Sequence, residues 1–82
     1  MGSSAPGSIR IRLFASLREQ AGWAERQWLL EQPTTAEELW RTLELPGAMD
    51  AVRVAINQRF ASAETPLQNG DELAFLPPIS GG

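Results

Sequence analysis

The sequence has 82 residues, a hydrophobic share of 43% and a formal net charge of −3, which together indicate one small globular domain with an acidic balance. The negative charge and the scattered arginines exclude the basic stripe with which nucleic-acid-binding proteins release phosphate counterions. No apolar run approaches the ~20 residues that span a bilayer, and no secretory leader pattern opens the chain. We therefore expect a cytoplasmic protein with no nucleic-acid or membrane partner.

Three residue types are missing from the chain. It contains no cysteine, no histidine and no lysine, so all 7 of its cationic side chains are arginines. A disulfide framework, a thiolate nucleophile and a zinc–thiolate site are therefore excluded, and no side chain is present that would activate a serine nucleophile. The pair Glu37–Glu38 falls in a predicted first helical turn, where negative charge suits the helix dipole. We predict no internal active site, no metal site and no bound cofactor.

The first half of the chain reads as a lead-in followed by two strands. Residues 1–8 (MGSSAPGS) have the composition of a disordered segment. The alternation of Ile9, Ile11 and Leu13 with arginines predicts a half-buried strand. A short helical turn over 16–21 is stopped by Gly22, and residues 27–30 predict a second strand, antiparallel to the first.

The clearest helix begins after Pro33. Thr34 or Thr35 can cap it, because each has a glutamate three positions further on. The apolar face of this helix is formed by Ala36, Leu39, Trp40 and Leu43. Trp40 and the two other tryptophans, Trp23 and Trp28, are predicted to pack in or near the core. The helix is predicted to end at Pro46–Gly47.

Two further strands are predicted over 52–57 and 72–76, the second ended by Pro77–Pro78, since proline cannot donate to a sheet ladder. The order strand, strand, helix, strand, short strand, strand indicates an α+β fold, a mixed sheet with one main helix packed on one face. This is the plan of the β-grasp fold, with the first and last strands as central, parallel neighbours. We assign the domain to residues 9–78 and a flexible tail to 79–82.

The final residues carry the strongest functional signal. Pro77–Pro78 hold the following segment extended, and the five residues from Pro78 reach roughly 17 Å. Gly81 and Gly82 have no side chains, so they fit a narrow channel and leave the terminal carbonyl open to attack. Chain ends are commonly frayed, but a rigid Pro-Pro and the apolar Ile79 favour a tail with a function.

Residues 70–82 (GDELAFLPPISGG) resemble the C-terminus of the molybdopterin synthase small subunit family (MoaD), in the MoaD/ThiS superfamily of ubiquitin-like sulfur carriers. Residues 13–19 (LFASLRE) and 54–58 (VAINQ) resemble the same family, at suitable spacing. The resemblance covers residues 9–82. It implies a ubiquitin-like β-grasp domain that is not an enzyme on its own.

The resemblance implies a reaction at Gly82. An adenylating, sulfur-transferring enzyme would use ATP to activate the Gly82 carboxylate, and a persulfide would then convert it to a thiocarboxylate. The tail, formed by Ile79, Ser80, Gly81 and Gly82, would insert into the large synthase subunit and donate sulfur to cyclic pyranopterin monophosphate. The expected assembly is a heterotetramer of two small and two large subunits.

A partner-binding surface is expected near the tail. Strand alternation places Phe14 and Leu76 on the face of the sheet that the helix leaves open, and Phe60 is a candidate to join them, with Pro77 and Pro78 alongside. Burial of Phe14 and Phe60 under loops is an equally open interpretation.

Other functions remain open at this point. A carrier for thiamine synthesis or tRNA thiolation is the nearest alternative, and Pro77–Pro78 favours the molybdopterin assignment over it. A protein modifier that forms isopeptide bonds would use the same acyl-adenylate. A plain interaction module with an inert tail is the third alternative.

Overall fold

A computed structural model describes residues 7–45, 47 and 51–78 of the chain. The elements are β1 (Gly7–Leu13), α1 (Ala15–Ala21), β2 (Glu25–Leu30), α2 (Ala36–Thr42), β3 (Arg53–Ile56), β4 (Arg59–Phe60) and β5 (Glu72–Leu76). They form one sheet in the order β2-β1-β5-β3-β4. The strands β1 and β5 are central and parallel, as predicted, and the other neighbours are antiparallel. Within these residues no helix has the length and apolar character needed to cross a membrane.

The core lies between the two helices and one face of the sheet. Alternation in β1 and β5 directs the side chains of Ile9, Ile11, Leu13, Leu73 and Phe75 to this face, and all five are buried. The ring of Phe75 meets that of Trp40 on α2 edge to face, with 5.1 Å between centroids. Trp23 and Trp28 are partly buried against the same cluster. The predicted packing role of the three tryptophans is confirmed.

The two helices are equal in length, at 7 residues each, so α2 is not the longer helix that the sequence predicted. It is the main helix by burial, because α2 buries Ala36, Leu39 and Trp40, whereas α1 buries only Leu17. The helix α2 ends at Thr42, before the predicted stop, and Leu43 forms its C-cap. Pro46 lies outside the described residues.

The choice between two caps is resolved in favour of Thr35. Its hydroxyl accepts a hydrogen bond from the Glu38 backbone N–H at 3.3 Å. The Thr34 hydroxyl instead donates to the Glu38 carboxylate at 3.1 Å.

Thr35→Ala is expected to lower the free energy of unfolding by about 1 kcal/mol, because one N–H of the first turn loses its partner. Urea denaturation measures this, with Thr34→Ala as the matched control; an equal or larger loss for Thr34→Ala would contradict the assignment.

The ordered domain begins earlier than predicted. Gly7 and Ser8 belong to β1, paired with Leu30 and Leu29, so the prediction of a disordered lead-in is wrong for these two residues. The Ser8 backbone N–H donates to Asn69 Oδ1 at 2.9 Å. A Cβ at Gly7 would stand 2.7 Å from the Asn69 Cβ, so the close approach of the two segments requires glycine there. Residues 1–6 and the predicted tail, 79–82, lie outside the described residues.

Candidate functional site

The strand that leads to the C-terminus is held on both sides. In β5, Phe75 is in register with Leu13 of β1, and Leu76 is in register with Arg53 of β3. Phe75 is completely buried. Because β5 is the middle strand of the sheet, it is hydrogen-bonded to a neighbouring strand on both sides. Pro77 is half-buried and Pro78 is exposed. The predicted site residues Ile79, Ser80, Gly81 and Gly82 follow them and lie outside the described residues.

Leu76 and Phe60 lie on the open face of the sheet, and Arg53 connects them. Arg53 is the register partner of Leu76, and its guanidinium carbon stands 4.1 Å from the centroid of the Phe60 ring. Phe60 is the register partner of Ala55 on the same face and is 65% exposed. The alternative that loops bury Phe60 is therefore wrong. Phe60 therefore adds an exposed apolar side chain to the same face of the sheet as Leu76.

Phe14 lies one residue beyond Leu13, at the level of Leu76 on the neighbouring strand. It is half-buried and forms the N-cap of α1 in an extended conformation. The Arg12 guanidinium stacks on its ring at 4.9 Å and pairs with the Glu72 carboxylate at 3.0 Å. We name the surface formed by Phe14, Leu76, Phe60 and their two stacked arginines, Arg12 and Arg53, the open-face patch. It adjoins Pro77 and Pro78, which precede residues 79–82 in the sequence.

The hairpin that presents Phe60 was not fully evident in the sequence. Asn57 and Gln58, both with positive φ (53° and 69°), join β3 to the two-residue strand β4. The Asn57 side chain donates to Asp71 Oδ1 at 2.9 Å and accepts from the Glu72 N–H at 3.0 Å. These bonds fix the turn to the start of β5. Asparagine is among the residues that tolerate positive φ, so Asn57 was the available signal for the turn.

Several charged side chains of the described domain form ion pairs with one another. Arg10 pairs with Glu25, and Arg41 with Glu37 one helical turn away. No group of three or more acidic side chains within the described ranges is close enough to hold a metal ion.

The chain is similar in sequence and in fold to known proteins. The model of the ThiS family matches residues 11–82. The molybdopterin synthase sulfur carrier subunit of Escherichia coli is 31% identical over 83 residues, which cover 90% of this chain and 99% of the relative. That of Haemophilus influenzae is 36% identical over 81 residues, with the same coverage of 90% and 99%. The crystal structure of SAMP1 from Haloferax volcanii, 28% identical, superposes with a TM-score of 0.70, covering 93% of this chain and 100% of that one.

Proposed function

The chain belongs to the ThiS family, and from this premise we propose that it is the sulfur carrier subunit of a molybdopterin synthase, acting in molybdenum cofactor biosynthesis. Relatives with that name are 31% and 36% identical to it over 90% of its length. The observation that supports the proposal most is the junction at Leu76–Pro78: a central strand, fixed on both sides, leads directly into the Gly-Gly tail.

The proposed chemistry takes place at the Gly82 carboxyl carbon. A free carboxylate is a poor electrophile, so an adenylating enzyme first joins it to AMP from ATP and releases pyrophosphate. The terminal sulfur of a persulfide then displaces AMP, and a thiol reduces the resulting acyl disulfide to the thiocarboxylate. The chain has no histidine, cysteine or lysine and no cofactor of its own in this scheme, so its partners supply the acid–base groups and the nucleotide.

In the transfer step the thiocarboxylate sulfur forms a bond to a carbon of cyclic pyranopterin monophosphate and breaks the bond from that carbon to an oxygen, which leaves with the bonding electrons and takes up a proton. Water then cleaves the bond between the Gly82 carbonyl and sulfur, which leaves sulfur on the precursor and returns the carboxylate. Two such transfers build the dithiolene. The carrier is not catalytic by itself in this scheme, and the large subunit positions the reacting groups.

The large subunit is the proposed occupant of the open-face patch. Phe14, Phe60 and Leu76 would bury apolar surface against it, and Pro77 and Pro78 would direct Ile79, Ser80, Gly81 and Gly82 into its active site. Two copies of each subunit would form a heterotetramer, located in the cytoplasm.

Reconstitution tests this proposal. The chain carrying a Gly82 thiocarboxylate is mixed with the large subunit and cyclic pyranopterin monophosphate, and the dithiolene product is measured. The expected result is one dithiolene for every two thiocarboxylates consumed. The same chain with an unmodified carboxylate is the control and gives no product. Isopeptide conjugates to other proteins in cells, without a thiocarboxylate, would instead support the modifier function.

A further inference from the structure

Arg53 differs from the other arginine of the open-face patch. The charge of Arg12 is matched by Glu72 at 3.0 Å. Arg53 is exposed, and no carboxylate of the described residues lies within ion-pair distance of it. Its guanidinium lies over Phe60, 4.1 Å from the ring centroid. Within residues 7–45, 47 and 51–78, nothing neutralises the positive charge that Arg53 places over one side of the Phe60 ring, and Phe60 is 65% exposed.

This geometry constrains any protein that covers Phe60. A surface that buries the ring must also remove water from the guanidinium stacked on it. Arginine stays protonated at all physiological pH values, so the charge cannot be relieved by loss of a proton. A desolvated, unpaired charge costs several kcal/mol, more than the ring gains by burial. Tight docking is favourable only if the partner brings an anion to Arg53.

We infer that the surface of the large synthase subunit that docks here presents a carboxylate to Arg53, next to an apolar contact for Phe60. A guanidinium held in a fixed plane matches a carboxylate with two parallel hydrogen bonds. The stacked ring limits the rotation of the Arg53 side chain, so the guanidinium is already oriented for these two hydrogen bonds before binding. Arg53 is then a residue that determines partner specificity, beyond the apolar docking. The inference rests on the proposed function.

The neighbouring arginine of the hairpin provides a matched control. Arg59 is exposed, but its register partner is Ile56, on the helix-covered face, so it points away from the open-face patch. Replacement of either arginine by glutamine removes one positive charge and retains a polar side chain. A difference between the two variants therefore reports position and not net charge.

The test measures binding of the full chain to the large subunit of the same organism by titration calorimetry, at two salt concentrations. Arg53→Gln is expected to raise the Kd at least about thirtyfold, because it leaves the partner's carboxylate buried and unpaired. Arg53→Glu is expected to raise the Kd further, since it places two carboxylates together. Arg59→Gln is expected to change the Kd by less than about fivefold. The affinity of the wild-type chain falls with added salt, and that of Arg53→Gln falls less.

Two further measurements separate the possible outcomes. Far-ultraviolet circular dichroism confirms that each variant is folded, and intact mass reports whether the activating enzyme forms a thiocarboxylate on it. If the wild-type chain binds the large subunit and both Arg53→Gln and Arg59→Gln bind with the same Kd as the wild type, the inference is overturned. The proposed function then still stands. A wild-type chain that neither forms a thiocarboxylate nor binds the large subunit overturns the proposed function itself.

Discussion

Deletion of Gly82 is expected to abolish dithiolene formation. The shortened chain ends at Gly81, so any sulfur that it carries stops about 3.4 Å short of the position reached by the full chain. A misplacement of about 1 Å in a reacting group is enough to lower a rate by roughly a hundredfold. The measurement is the reconstituted reaction with the large subunit. Intact mass follows the thiocarboxylate on the chain, and the amount of dithiolene product is determined.

Deletion of Gly2 is the matched control for this experiment, since it also removes one glycine from a terminus. It is expected to leave both loading and transfer unchanged. The sheet and core found in residues 7–78 contain neither glycine, so both deletions are expected to keep the unfolding temperature of the full chain. Transfer at the full rate by the chain that lacks Gly82 would contradict the requirement for a reaction at the Gly82 carboxyl group.

Replacement of Phe75 by alanine is expected to give the largest loss of stability. The side chain is 0% exposed and packs edge to face against Trp40, at the contact between β5 and α2. Its removal leaves a cavity and costs about 3–5 kcal/mol. Since small domains are stable by only about 5–15 kcal/mol, the variant is expected to be near the edge of folding at 37 °C. Urea denaturation followed by tryptophan fluorescence measures the loss.

Phe60→Ala is the matched control, because the same ring is removed from an exposed position. Only the stacking of Arg53 on the ring is lost, at a cost of about 0.5–1 kcal/mol. Phe60→Ala is expected to have a large effect on binding despite its small effect on stability. It should raise the Kd for the large subunit about thirtyfold, as for a residue at the centre of an interface. A Phe60→Ala chain that unfolds as readily as Phe75→Ala would show that Phe60 belongs to the core and not to a docking surface.

The fold could be predicted because most of its elements carry strong local patterns. The alternation of Ile9, Ile11 and Leu13 predicted which face of the first strand is buried, and the structure confirms it. The stop at Gly22 follows from its left-handed conformation, with φ of 86°. A helix that connects one pair of strands to the next allows few strand orders in the sheet. The parallel pairing of the first and last strands at its centre therefore followed from the order of elements.

Features that depend on distant residues were missed or misplaced. Ser8 was assigned to the lead-in because its local composition is polar, whereas its partner Asn69 is 61 residues away in sequence. The stacking of Arg53 on Phe60 depends on the register of a two-residue strand, which the sequence pattern does not specify. The position of the open-face patch was predicted from the alternation of side chains along the strands. The placement of the Arg53 charge over the Phe60 ring was not predicted.

The most direct test of the central claim is the intact mass of the chain, taken from cells that contain their sulfur-transfer machinery, before and after mild treatment with iodoacetamide at neutral pH. Because the sequence has no cysteine, a rapid adduct reports a thiocarboxylate once peptide mapping places it at Gly82 and not at a methionine. We predict a fraction in which one oxygen of the terminal carboxylate is replaced by sulfur and is alkylated. A carboxylate that stays unmodified when ATP, the adenylating partner and a sulfur donor are added would contradict the sulfur carrier function.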